Sequence, residues 1–216
     1  NKLFALNVME WLINEFAGIF ELVRTNVNVT AFCSPDNSYE TLKKLILSTN
    51  ESLYIMQYLF TNLYILDAIK MLREQKPYVD IKVILEKNQY GGPNQNNIWV
   101  ARNLSTDIGA DVGWDNDTAY DYTHAKMLII DNKTVMIMTG NWVKTGVPVN
   151  NTYGNRECGI IITSTEIAEL FVEIFFDDFE QSSPLSPADR GTEPSRSIKT
   201  GDYAPVFTAE SWHNIT

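Results

Sequence analysis

With 216 residues the chain has room for one domain of ordinary size plus extensions, and a hydrophobic share of 44% argues against disorder. Its formal charge is −10 with no Lys/Arg-rich block, which excludes a general nucleic-acid coat, because phosphate binding of that kind draws on clustered cations. No apolar run is long enough to predict a transmembrane helix.

Residues 3–24 carry Leu6, Met9, Ile13, Phe16 and Phe20 at helical spacing, which predicts an amphipathic helix in an N-terminal extension covering 1–26. Its polar positions are acidic or neutral, which suits packing on protein better than lying on a membrane. Residues 27–33 read as a first strand and 34–38 as a turn ending in a helix cap. A short helix over 39–48 follows, with Leu42, Leu45 and Ile46 facing inward. Residues 52–58 read as a strand, 62–75 as a helix stopped before Pro77, and 79–86 as a buried strand of the parallel type. This alternation predicts an α/β fold with a mixed, largely parallel sheet sandwiched between helices, occupying 27–180.

The loop 87–97 is rich in Gly, Asn and Pro and is expected at a strand's C-terminal end, where sites in α/β sheets form. It reads first as a plain mobile loop, and second as a cleft rim where Tyr90 could stack on a base or a headgroup. A helix over 98–104 and a strand over 110–114 come next. The acidic loop beyond them, with Asp115, Asp117 and Asp121, reads as solvated rather than as a metal site.

The stretch 122–141 holds the candidate chemistry. His124 and Lys126 lie two residues apart in a run dense in Met, Leu and Ile, so a strand would aim both at one face. Asn132-Lys133 reads as a turn and 134–138 as a second strand, ending in Thr139-Gly140-Asn141 with a hydroxyl and a carboxamide at its tip. Such a hairpin gathers an imidazole able to attack phosphorus or move a proton, a fixed cation, and hydrogen-bond donors for charged oxygens. Taken alone, the pair reads more readily as a satisfied histidine beside a snorkelling lysine.

Beyond it, 142–154 reads as a polar loop, 158–163 as a strand and 165–179 as an amphipathic helix capping the fold. The Pro/Ser-rich stretch from 181 is expected as a linker and tail covering 181–216, turning apolar again near Val206 and Phe207. That tail is expected either to fold back or to pair with a sheet edge of a neighbouring molecule.

Residues 124–131, HAKMLIID, resemble the H-x-K-x4-D motif of the phospholipase D superfamily. Residues 138–142, MTGNW, sit where that family has G-S-x-N; Asn155-Arg156-Glu157 resembles its N-x-E element, and Ser34-Pro35 the S-P that closes its first strand. The likeness covers about residues 28–180 and is nearest to the small single-motif nucleases. It implies that His124 is the nucleophile, forming a phosphohistidine, or else the acid that protonates the leaving alcohol. Lys126, Thr139 and Asn141 would hold the phosphate oxygens, Glu157 would accept a hydrogen bond from His124, and Asp131 would serve structurally. No metal or cofactor is implied. Met138 stands where the family has Gly, and Thr139 where it has Ser.

The mechanism so implied needs two imidazoles, and the chain has only His124 and His213, the latter without a lysine two residues on. A C2 homodimer or a second motif elsewhere would complete the site.

Seven N-x-S/T triplets open at Asn28, Asn50, Asn103, Asn116, Asn132, Asn150 and Asn214, where chance would give roughly three. This excess predicts a glycosylated, extracellular or cell-surface protein, with Asn132 in the hairpin turn beside the site. Cys33 and Cys158 map near the active end of one sheet, which leaves a disulfide and two buried thiols both open. Two function classes follow: a phosphodiesterase acting on nucleic acid or phospholipid, and a glycosylated assembly module, of a filament or surface layer, that keeps the fold without catalysis.

Overall fold

Eight strands and four helices make up residues 27–149 and 152–197, which the computed structural model describes. In chain order they are β1 (Asn28–Ser34), α1 (Ser38–Ser48), β2 (Ser52–Gln57), α2 (Leu63–Gln75), β3 (Asp80–Leu85) and α3 (Gln95–Thr106). β4 (Asp111–Trp114), β5 (Lys126–Ile130), β6 (Thr134–Met138), β7 (Glu157–Thr163), α4 (Thr165–Gln181) and β8 (Ser183–Pro184) complete them. One mixed sheet takes the order β1-β7-β6-β5-β2-β3-β4-β8.

Parallel pairing is confined to β2–β3 and β3–β4, where helical crossovers join the strands. The other five pairs are antiparallel, so the mixed sheet is not largely parallel as expected: β5 and β6 form a tight hairpin, β7 returns beside β6, and β8 runs back along β4. β1 is not beside β2, as the alternating rhythm suggests; it lies at the sheet edge against β7. That pairing depends on Gly159, since Phe32's ring fills the space a Cβ there would need.

Alternation along the strands sorts side chains between two cores. Leu53 and Ile55, Val83 and Leu85, and Leu128 and Ile130 pack under α1, α2 and α3. Tyr54, Met56, Met127, Ile129 and Val135 face α4 through Ala168 and Phe175. The sheet is therefore sandwiched as expected, with three helices on one face and one on the other.

Local signals set the helix starts. The Asn62 side chain accepts from the amides of Tyr64 and Ile65, and Asn94 from those of Asn96 and Asn97. The second cap starts α3 three residues ahead of the expected 98, because the Asn/Gln run there looks like loop by propensity.

Two expectations need correction, and the two cysteines can be placed. The turn between β5 and β6 is centred on Asp131-Asn132, with φ of 53° and 50° and Lys133 N donating to Ile130 O at 3.0 Å, the primed geometry hairpins prefer. It closes the end of the hairpin opposite His124, so Asn132 is far from the site. The stretch expected as linker from 181 is part of the domain as far as 197: α4 runs to Gln181 and β8 pairs with β4. Beyond β8, Asp189 is buried against Trp114 Nε1 at 3.0 Å and Lys87 at 3.1 Å, and Arg196 pairs with Asp67 at 2.6 Å. Cys33 and Cys158 face each other in register as free thiols with their sulfurs 3.7 Å apart. The helix expected within 1–26, Asn150, and the tail with His213 and Asn214 lie outside the described residues.

Candidate active site

Lys126 opens β5 and is cross-strand partner to Gln57, the last residue of β2. Its side chain lies on the face of Leu128 and Ile130, and only 5% of the residue is exposed. His124 precedes the strand and turns back over it: Lys126 Nζ lies 2.8 Å from its Nδ1 and 3.1 Å from its Nε2, and donates to its carbonyl at 2.7 Å. A neutral imidazole offers one acceptor nitrogen, so the ammonium donates to one ring nitrogen at a time. Tyr58 completes the wall, its ring centroid 4.7 Å from that of His124 and 5.5 Å from Lys126 Nζ.

The far side of the cluster comes from the end of β6 and the start of β7. Thr139 Oγ1 donates to Glu157 Oε2 at 2.5 Å and accepts the Cys158 amide at 3.1 Å. Asn155 Nδ2 donates to Glu157 Oε1 at 3.5 Å. The expected hydrogen bond from His124 to Glu157 is not made; the carboxylate is taken by Thr139 and Asn155. Trp142, fully buried and edge-on to Phe60 at 5.1 Å, fixes the chain just after Asn141. Asn141 Oδ1 is buried with no protein partner. Gly146 lets the chain pass close to the Asn141 carbonyl, where a Cβ would collide.

Electrostatics favour a neutral imidazole beside a cation. Burial, and then the Lys126 charge, hold the His124 pKa below its ordinary 6.5. Burial lowers Lys126 as well, partly offset by the Glu157 carboxylate. A nucleophilic or proton-accepting ring, an ammonium, a hydroxyl and an orphaned carboxamide therefore meet at one end of the sheet, a set suited to an anionic group.

Asp131 is not in this set. It stands beyond the other end of β5, on the order of 17 Å away at ordinary strand rise. Its carboxylate accepts the amides of Asn50, Glu51 and Ser52 at 2.7–3.1 Å, tying the start of β2 to the end of β5.

Other side chains near the site escaped the sequence reading. Gln57 is fully buried with both carboxamide atoms unpartnered, and a carboxamide ending the mostly apolar run SLYIMQ was its signal. Asp115, read as part of a solvated loop, is only 6% exposed. Tyr122 stacks edge-on to Tyr58 at 6.0 Å, and Tyr58 Oη accepts the amide of Tyr90, whose side chain is 89% exposed. Among the described residues, no group of three or more His, Cys, Asp and Glu side chains is gathered in a way that could hold a metal, and no helix is long and apolar enough to cross a membrane.

Of the sequon residues, Asn28, Asn50 and Asn132 are exposed. Asn103 lies half-buried inside α3, donating to Trp99 O at 2.9 Å, and Asn116 accepts from the Thr118 hydroxyl at 2.6 Å.

Comparison with known proteins agrees with this architecture. Residues 42–179 match the family described as cardiolipin synthase, PLD-like domain. The mouse (Mus musculus) mitochondrial cardiolipin hydrolase is 27% identical over 155 residues, covering 70% of this chain. The chain spans 64% of that relative's length. Two solved structures share the fold: the phospholipase D family member Nuc from Salmonella typhimurium, with a TM-score of 0.61 at 24% identity, and NucT from Helicobacter pylori, with 0.62 at 20%. Each alignment covers 74% of this chain, and 99% and 100% of the other. The family match takes in well over half of the chain, from α1 to the end of α4, and on that ground this protein belongs to the phospholipase D-like family.

Proposed function

We propose that the chain is a metal-independent phosphodiesterase, nuclease-like, working through a phosphohistidine. The observation that carries this reading is the contact of the buried Lys126 ammonium with the His124 imidazole, opposite the Thr139–Glu157–Asn155 network. In the proposed reaction His124 attacks phosphorus, the P–O bond to the leaving alcohol breaks, and a second imidazole gives that oxygen its proton. Water then attacks the phosphohistidine, giving up a proton to the second imidazole, and releases the phosphate product. Lys126 and Asn141 hold the non-bridging oxygens, joined by Thr139 once its one hydroxyl proton turns from Glu157 to the substrate; Asn141 Oδ1, which cannot donate, leaves that contact to the amide nitrogen. Glu157 acts by orienting Thr139 and by keeping Lys126 charged.

The second imidazole comes from another copy of the motif, in a C2 homodimer or in a further segment of the protein. The rings of Tyr58, Tyr122 and Tyr90 beside the site favour a base-bearing strand over a phospholipid headgroup, since each base offers a face for stacking. Secretion and glycosylation belong to the same proposal, with Asn28, Asn50 and Asn132 as the exposed acceptors. A mass shift on treatment with an N-glycanase, located to those three residues, tests it.

The decisive experiment is hydrolysis of a fluorescent single-stranded oligonucleotide and of bis-p-nitrophenyl phosphate in EDTA, with oligomeric state measured by light scattering. Chelator-resistant turnover by a dimer, falling about a thousandfold or more in His124→Ala, is expected. A well-folded dimer without turnover overturns the reading in favour of a glycosylated assembly module.

A further inference from the structure

β3 and β4 run in parallel and end side by side, Leu85 opposite Trp114, so the next residues, Glu86 and Asp115, emerge together. Both are acidic and both are buried, 1% and 6% exposed. Their carboxyl groups converge on one donor: the amide of Thr123 gives its proton to Glu86 Oε2 at 3.0 Å and to Asp115 Oδ2 at 3.3 Å. The outer oxygens are held as well, Glu86 Oε1 by the Asn88 amide at 2.6 Å and Asp115 Oδ1 by the Lys87 amide at 3.4 Å. Thr123 is itself buried and immediately precedes His124.

We propose that Glu86 and Asp115 are positioning residues for His124, a two-carboxyl clamp that fixes the main chain at the residue before the imidazole. The proposal rests on the reading of His124 as the reacting group.

The surroundings of the pair decide its charge state. The Lys87 ammonium is turned away, to Asp189 at 3.1 Å and the Trp114 ring, and Asp117 accepts from the Asn88 side-chain Nδ2. Tyr120 and Asp178, facing from the loop before β5 and from α4, are pushed up by burial first and also by the Asp115 charge. Among the described residues no ammonium or guanidinium forms an ion pair with either carboxyl. Two buried carboxylates sharing one amide proton cannot both stay ionised without cost, so one proton is retained between them. Burial, and then Asp115, push Glu86 up to about 7. Above that value the clamp carries two negative charges, with the Thr123 amide still shared between its inner oxygens, and loosens.

The test uses the intact chain, bis-p-nitrophenyl phosphate as probe substrate, and NMR of the imidazole. With only two histidines present, the His124 signals are identified by their loss in His124→Ala. Glu86→Leu, which cannot accept from Thr123, is expected to lower kcat about tenfold or more with KM nearly unchanged, and to shift the His124 signals. Glu86→Gln keeps an acceptor for Thr123 and can donate to Asp115. It is expected to retain kcat in mildly acid buffer and to lose the fall in kcat that the wild type shows as pH rises through about 7. The clamp is overturned if Glu86→Leu leaves kcat and the His124 signals as in the wild type, or if Glu86→Gln keeps the alkaline fall. Should the wild type show no turnover, the imidazole signals decide alone. A shift in Glu86→Leu then upholds the clamp while the phosphodiesterase reading fails, and no shift in Glu86→Leu overturns both.

Discussion

Lys126 shows how one residue sets the state of another. Its ammonium sits within hydrogen-bond reach of both ring nitrogens of His124, and its charge adds to burial in lowering the imidazole pKa. The direction fixes the acid limb of any activity that needs a neutral ring. That limb lies below pH 6.5, and kcat/KM should fall as pH drops through it. Lys126→Met removes the second cause of the shift, so the His124 NMR titration should move up toward 6.5 while turnover drops about a hundredfold or more. An unmoved titration would show that burial alone sets the ring's charge. The residues that sequence made legible here were those with distinctive chemistry at short spacing. Glu157 was found but given the wrong hydrogen-bond partner, because the approach of β7 to the end of β6 is a tertiary fact that no local pattern carries. Gln57 and Asp115 were missed because propensity says nothing about which polar side chain ends up buried.

At the scale of elements, two contacts hold the sheet's antiparallel half in place. Asp131 supplies acceptors to three backbone amides at the start of β2. Asp131→Ala strands those amides and should destabilise the fold by roughly 2–3 kcal/mol, read from denaturant unfolding, with the His124 NMR titration unchanged. A large change in that titration would mean that Asp131 acts on the chemistry. Gly159 faces the Phe32 ring across β1 and β7, so Gly159→Ala should cost about 1–3 kcal/mol through overpacking. Strand and helix existence was legible from periodicity for every element except β8, which fell in the expected linker, and β6 matches its expected bounds. The order of strands was not. Placing β1 at the edge requires knowing that β7 has a glycine opposite Phe32, a pairing between residues more than a hundred positions apart.

Over the whole molecule, the buried acid pair makes stability depend on pH. Glu86 rises from about 4.5 unfolded to about 7 folded, so the folded state holds the proton more tightly. The associated stability is fully present below pH 4.5 and is lost as pH rises through about 7, by an amount on the order of 3 kcal/mol. The unfolding midpoint, followed by calorimetry between those values, should therefore fall with rising pH in the wild type and stay flatter in Glu86→Gln. The docked segment after β8 also bears on where the domain ends. Composition marked it as a linker, yet Asp189 is held below its ordinary pKa: burial opposes this, but the Ser186 amide, the Trp114 indole and the Lys87 ammonium outweigh it. Truncation before Asp189 should therefore uncover Trp114, seen as a red shift of its fluorescence.

The turn at Asp131-Asn132 gives the motif's spacing a meaning of its own. One end of β5 carries the His124–Lys126 pair and the other a carboxylate that staples the start of β2. The four residues between Lys126 and Asp131 are thus a ruler, five strand steps cut to the depth of the sheet. Adding one residue to that ruler would put its two ends out of phase: either the staple misses its amides, or His124 and Lys126 swing to the face covered by α4. A two-residue insertion would restore the phase but lengthen the reach, so an insertion series in β5 would separate the demand for facing from the demand for length.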